Sequence, residues 1–260
     1  MADYENKAAL VAQLNVLVAQ LNILVKQLNT LAGEPEQLIV PPSRRRQEPY
    51  VLVATPARPE TKEVFTIRSE VLYGRLTYPR RERAFVNDAV ASVPGLKCGR
   101  HAAARNLLLE QYLRPCHTHV LWMDVDLMKV PNDLIENLLD VTATDIVAPH
   151  IYVEKVRQDK GPSFENGGWF YDTGAFIKDG RSRDMWKPEL PGLQQMDSVG
   201  CCYMVPAEIY RKGCRYSPVG DEIEHLSFCR QAREMGYKVW ATEDVQVEHA
   251  YLPKYGETWH

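Results

Sequence analysis

Thr118 to Met123 (THVLWM) is an apolar run that ends in Asp124-Val125-Asp126. Two carboxylates at i and i+2 beyond a strand leave its carboxyl end, where ligands of open α/β sheets sit, and there they can converge on one hard cation. A divalent ion bridging a diphosphate is the natural use of such a pair. By spacing alone an Asp-x-Asp is equally a polar strand exit. Two things favour the metal: the strongly apolar strand before the pair, and the lack of a G-x-G-x-x-G or P-loop phosphate site anywhere in the chain. Trp169 and Tyr171 are suited to stacking on a sugar face, and core packing is the alternative for Trp169. They lie in a long irregular stretch, Glu154 to Met196, and loops of that length are usually functional, as a lid over a donor would be. Arg80, Arg81 and Arg83 can meet an anionic acceptor, although Glu82 interrupts them and solvation is the default for such a cluster.

The elements around these residues read as an α/β domain with a mainly parallel sheet, short β-rich runs alternating with helical ones. Tyr50 to Ala54 and Arg83 to Val86 are strands, Thr61 to Leu76 and Arg100 to Leu113 are helices, and Pro131-Asn132-Asp133-Leu134 starts another helix. The composition is that of a globular protein, 45% apolar and 25% charged, which excludes disordered and collagen-like chains. With 31 basic against 34 acidic side chains, the formal charge of −3 argues against bulk nucleic-acid binding as the main activity.

The first residues are a separate unit. VAQLNVL, VAQLNIL and VKQLNTL repeat a heptad over residues 11–31, with leucines alternating by four and three from Leu10 to Leu31. Val11, Val18 and Val25 widen the stripe beyond what a dimer needs, so a homo-oligomeric coiled coil of three or four chains is expected through residues 10–31. A core-packing amphipathic helix is the alternative. Gly33 and Pro35 end the helix, so the domains are expected as 1–33 coiled coil, 34–48 linker and 49–260 catalytic domain. Six cysteines without a C-x-x-C pair read as reduced, mostly buried thiols. The polar interruptions between Leu10 and Leu31 exclude a membrane span, the N-terminus lacks the features of a secretory signal, and a cytoplasmic location is expected.

The run Ala104 to Leu139 resembles the donor-site segment of GT-A glycosyltransferases, and most of all the fungal Golgi mannosyltransferases of the mannan polymerase complexes, glycosyltransferase family 62, with their bacterial and viral relatives. Further likenesses are Asp145 to Pro149, Phe164 to Asp172, and Asp197-Ser198-Val199-Gly200 with Tyr203 to Pro206, so the resemblance spans roughly residues 49 to 250. The coiled coil takes the place of the fungal membrane anchor.

That resemblance implies a GT-A fold. It makes Asp124 and Asp126 the DxD motif that holds Mn²⁺ or Mg²⁺ against a nucleotide sugar, with Asp124 also counted among the donor-binding residues. His249, after the strand-like Val245 to Glu248, is the third ligand it implies, and imidazole beside two carboxylates favours Mn²⁺. Thr55, Pro56 and Arg58 fall where base and ribose are held, Arg105 where a guanidinium forks onto donor phosphate or forms a helix-surface salt bridge, and Trp169 and Asp197 on the substrate side. Residues 220–240 resemble the acidic loop and helix of the acceptor side, with Glu224 and Asp221 as the catalytic candidates or, equally, as helix caps. His225 stands where inverting relatives have an Asp base, which favours a retaining reaction. The expected activity is metal-dependent transfer of a hexose from a nucleotide diphosphate sugar, GDP-mannose before a UDP-sugar, to a hydroxyl on a glycan, protein, lipid or modified nucleobase. The alternatives are a nucleotidyltransferase and a non-catalytic oligomeric carbohydrate-binding scaffold.

Overall fold

Val51 to Ala54 presents four apolar side chains in succession, a pattern that suits a strand covered on both faces. In the computed structural model all four have no exposed surface, and they form most of β1 (Val51–Pro56). The structure describes residues 48–57, 61–86, 97–153, 169–170, 192–218 and 222–250; the expected coiled coil and linker lie outside them.

The order along the chain is β1, α1 (Glu63–Arg75), β2 (Arg81–Val86), α2 (Lys97–Tyr112), β3 (His119–Met123), β4 (Leu127–Lys129), α3 (Leu134–Val141), β5 (Ile146–Val153) and β6 (Trp169–Phe170). It continues with β7 (Leu193–Gln195), β8 (Cys202–Pro206), α4 (Ala207–Arg211), α5 (Glu224–Glu234) and β9 (Val239–His249). One mixed sheet has the order β2-β1-β3-β8-β5-β9-β4, with β6 on β5 and β7 on β9. β1 runs parallel to β2 and β3, and β5 parallel to β9, while β8 is antiparallel to both β3 and β5. β1, β2, β3, β5 and β9 therefore all point the same way, and the sheet is mainly parallel in strand direction, as expected.

Period-two alternation sends Leu52, Ala54, Val120 and Trp122 to one core and Val51, Val53, Leu121 and Met123 to the other. On the second face α3 packs Leu134, Ile135 and Leu138, and on the first α5 contributes Phe228, Cys229 and Ala232. The expected elements recur with shifted ends: β2 starts at Arg81, α2 at Lys97, and β9 extends back to Val239. Inside the stretch expected to be irregular, Trp169–Phe170 and Leu193–Gln195 pair with β5 and β9. Cys201, Cys202, Cys214 and Cys229 are buried, and Cys116 is exposed.

α5 ends where Gly236 takes φ +91°, with its amide donating to Arg233 O and that of Tyr237 to Ala232 O. A Cβ there meets open space, so the obstacle is backbone conformation alone. Gly236→Ala is expected to cost about 1–2 kcal/mol, measured as a lower urea midpoint with an unchanged slope.

Candidate active site

The chain leaves β3 at Asp124, and its backbone is fixed from two sides. The Asp124 amide donates to Cys201 O at 2.9 Å, and the Ala250 amide donates to Asp126 O at 2.9 Å. Cys201 has φ +56°, a left-handed conformation uncommon for a residue with a Cβ, and it turns its carbonyl toward the Asp-x-Asp loop. β4 then pairs Leu127 with His249, which sets the imidazole beside the preceding carboxylate: His249 Nε2 lies 3.1 Å from Asp126 Oδ1. Its Nδ1 lies 2.7 Å from Ala250 O, and since a carbonyl only accepts, Nδ1 carries the proton and Nε2 faces the acid. That is how a metal-binding histidine is normally held. Burial pulls the His249 pKa down, but Asp126 outweighs it and lifts it to about 9.

Asp124 Oδ1 accepts from Arg105 Nη2 at 2.8 Å. The guanidinium is 2% exposed and sits over Trp122 at 4.9 Å, with Tyr216 at 5.7 Å and Tyr203 at 5.9 Å. Its Nε is 3.8 Å from Glu224 Oε1, and the same oxygen is 3.5 Å from His101 Nδ1 and 3.4 Å from His225 Nε2. Burial opposes the charge of Arg105, but Asp124, the two tyrosines and Glu224 hold its pKa well above the ordinary value. Burial also opposes the charge of Glu224, yet His225, His101 and Arg105 hold its carboxyl well below the usual range. His225 goes the other way, pushed down to about 4 by burial and by Arg105, and is neutral. Behind it a chain of hydrogen bonds runs from His225 Nδ1 to Tyr203 (3.2 Å), Tyr216 (2.6 Å) and Tyr210 (3.0 Å), where Trp122 Nε1 donates at 2.8 Å.

The expected site residues thus separate. Asp126 and His249 meet, and Asp124 joins Arg105 and Glu224. Among the described residues no three of His, Cys, Asp and Glu gather closely enough to hold an ion. The donor types still suit a divalent cation, because Arg105 takes only Oδ1 of Asp124 and His249 turns Nε2 toward Asp126. Arg105, expected on donor phosphate or at the helix surface, is instead a buried cation bound to Asp124. Glu224, the first residue of α5, makes no side-chain cap and is 4% exposed, so its carboxylate serves the cluster. Thr55 and Pro56 close β1, with Thr55 buried. Asp197 accepts from Arg233 Nη1 at 2.9 Å, an ion pair between the β7–β8 connection and α5. Trp169 lies in β6. Arg58 and Asp221 fall outside the described residues, as does the Trp169 side chain. Sequence reading missed His101, Trp122, Tyr203 and Tyr216 as site residues. The available signal was the i, i+4 spacing of His101 and Arg105, which puts both on one helix face.

Residues 95–189 match the Anp1 family model. This span contains α2, the Asp-x-Asp loop and β5. The mannan polymerase II complex anp1 subunit of Schizosaccharomyces pombe is 26% identical over 178 residues, 58% of this chain and 41% of that protein. Over that span the chain is similar to Anp1-family proteins. The ANP1 subunit of the same complex in Saccharomyces cerevisiae is 24% identical over 61% of this chain and 37% of its own length. The chain thus spans less than half the length of either relative. Among solved structures, GalNAc-T7 with UDP, GalNAc and Mn²⁺ superposes with a TM-score of 0.48 at 13% identity, over 79% of this chain and 44% of that one.

Arg105→Ala leaves a buried Glu224 carboxylate without its cation and is expected to cost about 3–5 kcal/mol in urea unfolding, with Arg105→Lys recovering only part. Acid acts on the same region. Folded His225 and His150 have pKa values of about 4, below the ordinary 6.5, so the unfolded chain binds more protons as pH falls. Stability is expected to decline as pH falls from 6.5 toward 4, with the depressed carboxyl of Glu224 extending the loss below its ordinary 4.5, and, because His249 is raised to about 9, to decline also as pH rises from 6.5 through 9. Urea midpoints measured across that range check the sign.

Proposed function

We propose that this chain is a metal-dependent glycosyltransferase that moves a hexose from a nucleotide diphosphate sugar to an acceptor hydroxyl. The observation that carries this reading is the paired acid at the carboxyl end of β3, one member against His249 and the other fixed by buried Arg105. Asp124, Asp126 and His249 would hold Mn²⁺ or Mg²⁺. When bound, such an ion neutralises the departing diphosphate and so stabilises the charge that grows as the sugar–phosphate bond breaks. Arg105 holds Asp124 in place, and the β4–β9 pairing does the same for Asp126 and His249. Names of the relatives as mannan polymerase subunits, together with the sequence resemblance, favour mannose, hence GDP-mannose over a UDP-sugar.

A retaining course is the better fit to the acceptor side. His225 is buried, neutral and engaged by Tyr203, and Glu224 is held in its ionised form by His101 and Arg105, so neither is a strong base poised for an acceptor proton. Without such a base, the departing phosphate oxygen takes the proton on the face it leaves. Assembly through residues 10–31 belongs to the same proposal.

A ligand that binds only the folded state raises the thermal midpoint by mass action. GDP, UDP, CDP and ADP are tested with and without Mn²⁺ on the native chain and on Asp124→Asn. The expected result is stabilisation by one nucleotide, dependent on the metal and lost in the variant. No shift with any nucleotide defeats the proposal.

A further inference from the structure

Glu224 is short of hydrogen bonds. Its side chain is only 5% exposed, and a carboxylate so deep is normally met by several close donors. Here Oε1 has only distant ones, His101 Nδ1 at 3.5 Å and Arg105 Nε at 3.8 Å. His225 Nε2 is 3.4 Å away, but it also lies 3.3 Å from Arg105 Nη2, which can only donate. In the neutral ring that nitrogen is therefore an acceptor and gives Glu224 no hydrogen. Oε2 has no partner among the described residues and is not sealed from solvent.

His101 presents a second acceptor beside it. A carboxylate only accepts, so the ring hydrogen facing Glu224 is on Nδ1, and Nε2 of the neutral imidazole is left to accept. The side chain is 29% exposed, and Nε2 has no partner among the described residues. Glu224 Oε2 and His101 Nε2 are thus acceptors on adjoining side chains, and no described residue supplies either with a hydrogen. Two acceptors, one of them charged, repel phosphate oxygens. They suit a group with adjacent O–H donors, as the vicinal hydroxyls of a sugar are. Position narrows the choice further. Arg105 gives Nη2 to Asp124 Oδ1 at 2.8 Å and turns Nε to Glu224, so a single guanidinium separates the acid proposed for the metal from this pair. A hexose whose diphosphate is held at Asp124 reaches the pair with its ring hydroxyls. We infer that His101 and Glu224 bind two neighbouring hydroxyls of the transferred sugar, Glu224 as the charged acceptor and His101 as the neutral one. The inference rests on the glycosyltransferase reading above, and adds to it the place of the sugar and a residue, His101, that selects for it.

Comparing a nucleotide with its sugar conjugate reads the sugar's share of binding apart from the nucleotide's. GDP and GDP-mannose, and UDP and UDP-glucose, are titrated calorimetrically with Mn²⁺ into the full chain, native or carrying His101→Ala, His101→Gln or Glu224→Gln. With the nucleotide that binds, the native chain is expected to prefer the sugar conjugate. That preference should fall about fivefold in His101→Ala, recover in part in His101→Gln, and fall about tenfold in Glu224→Gln, because hydrogen bonds to charged groups contribute more than those to neutral ones. The affinity for the nucleotide alone should stay as in the native chain. His101 is partly exposed, so its variants keep the fold even where Glu224→Gln, buried against Arg105, does not. A preference that His101→Ala leaves unchanged overturns the inference, as does a native chain that binds nucleotide and conjugate equally. An equal loss for nucleotide and conjugate puts the pair on the ribose and overturns it too. No binding of any nucleotide by the native chain is a separate result, which defeats the glycosyltransferase reading and takes this inference with it.

Discussion

A guanidinium with almost no contact with water must be compensated on all sides, and Arg105 is compensated by parts of the chain outside its own helix. α2 carries it, the end of β3 supplies Asp124 and Trp122, β8 supplies Tyr203, and the first turn of α5 supplies Glu224. Removing an ion of this kind from water costs several kcal/mol unless its partners are in place. The antiparallel insertion of β8 beside β3 is therefore tied to the electrostatics of the site: it brings an aromatic face to the cation and, through Cys201, a carbonyl to the Asp124 amide.

The two acids of the loop are governed by different structures. Asp124 answers to the buried cation and to the connection before β8. Asp126 answers to the last strand, through the Ala250 amide and the His249 ring. A change that shifts β9 therefore moves one carboxylate and leaves the other, and the distance between them becomes a property of the whole sheet.

Much of this was legible in the sequence because it is local. The apolar runs of β1 and β3, the pair at Asp124 and Asp126, and the helix after Glu224 each depend on neighbours in the chain. The fate of Arg105 did not. Whether an arginine on a helix faces solvent or core depends on what packs over it, and Trp122, Tyr203 and Tyr216 come from distant segments. The spacing of His101 to Arg105 shows a shared helix face but not what that face meets, since the partner Glu224 is on another helix. The antiparallel direction of β8 had no local signature either, because a fully buried five-residue strand reads the same in both senses. Asp197 shows the converse: its place in a family-like motif pointed to substrate, whereas the structure gives it Arg233.

The row of buried hydroxyls behind the site has a further consequence. Trp122 Nε1 can only donate, so Tyr210 accepts there. At the other end Arg105 Nη2, also a donor only, lies 3.3 Å from His225 Nε2, so that nitrogen accepts and the neutral imidazole turns its hydrogen on Nδ1 toward Tyr203. The three tyrosine hydroxyls are thus closed in by donors from both sides, and the row carries one more hydrogen than it has links. Its proton order is set jointly by the indole in the core and the cation at the site, not by either alone.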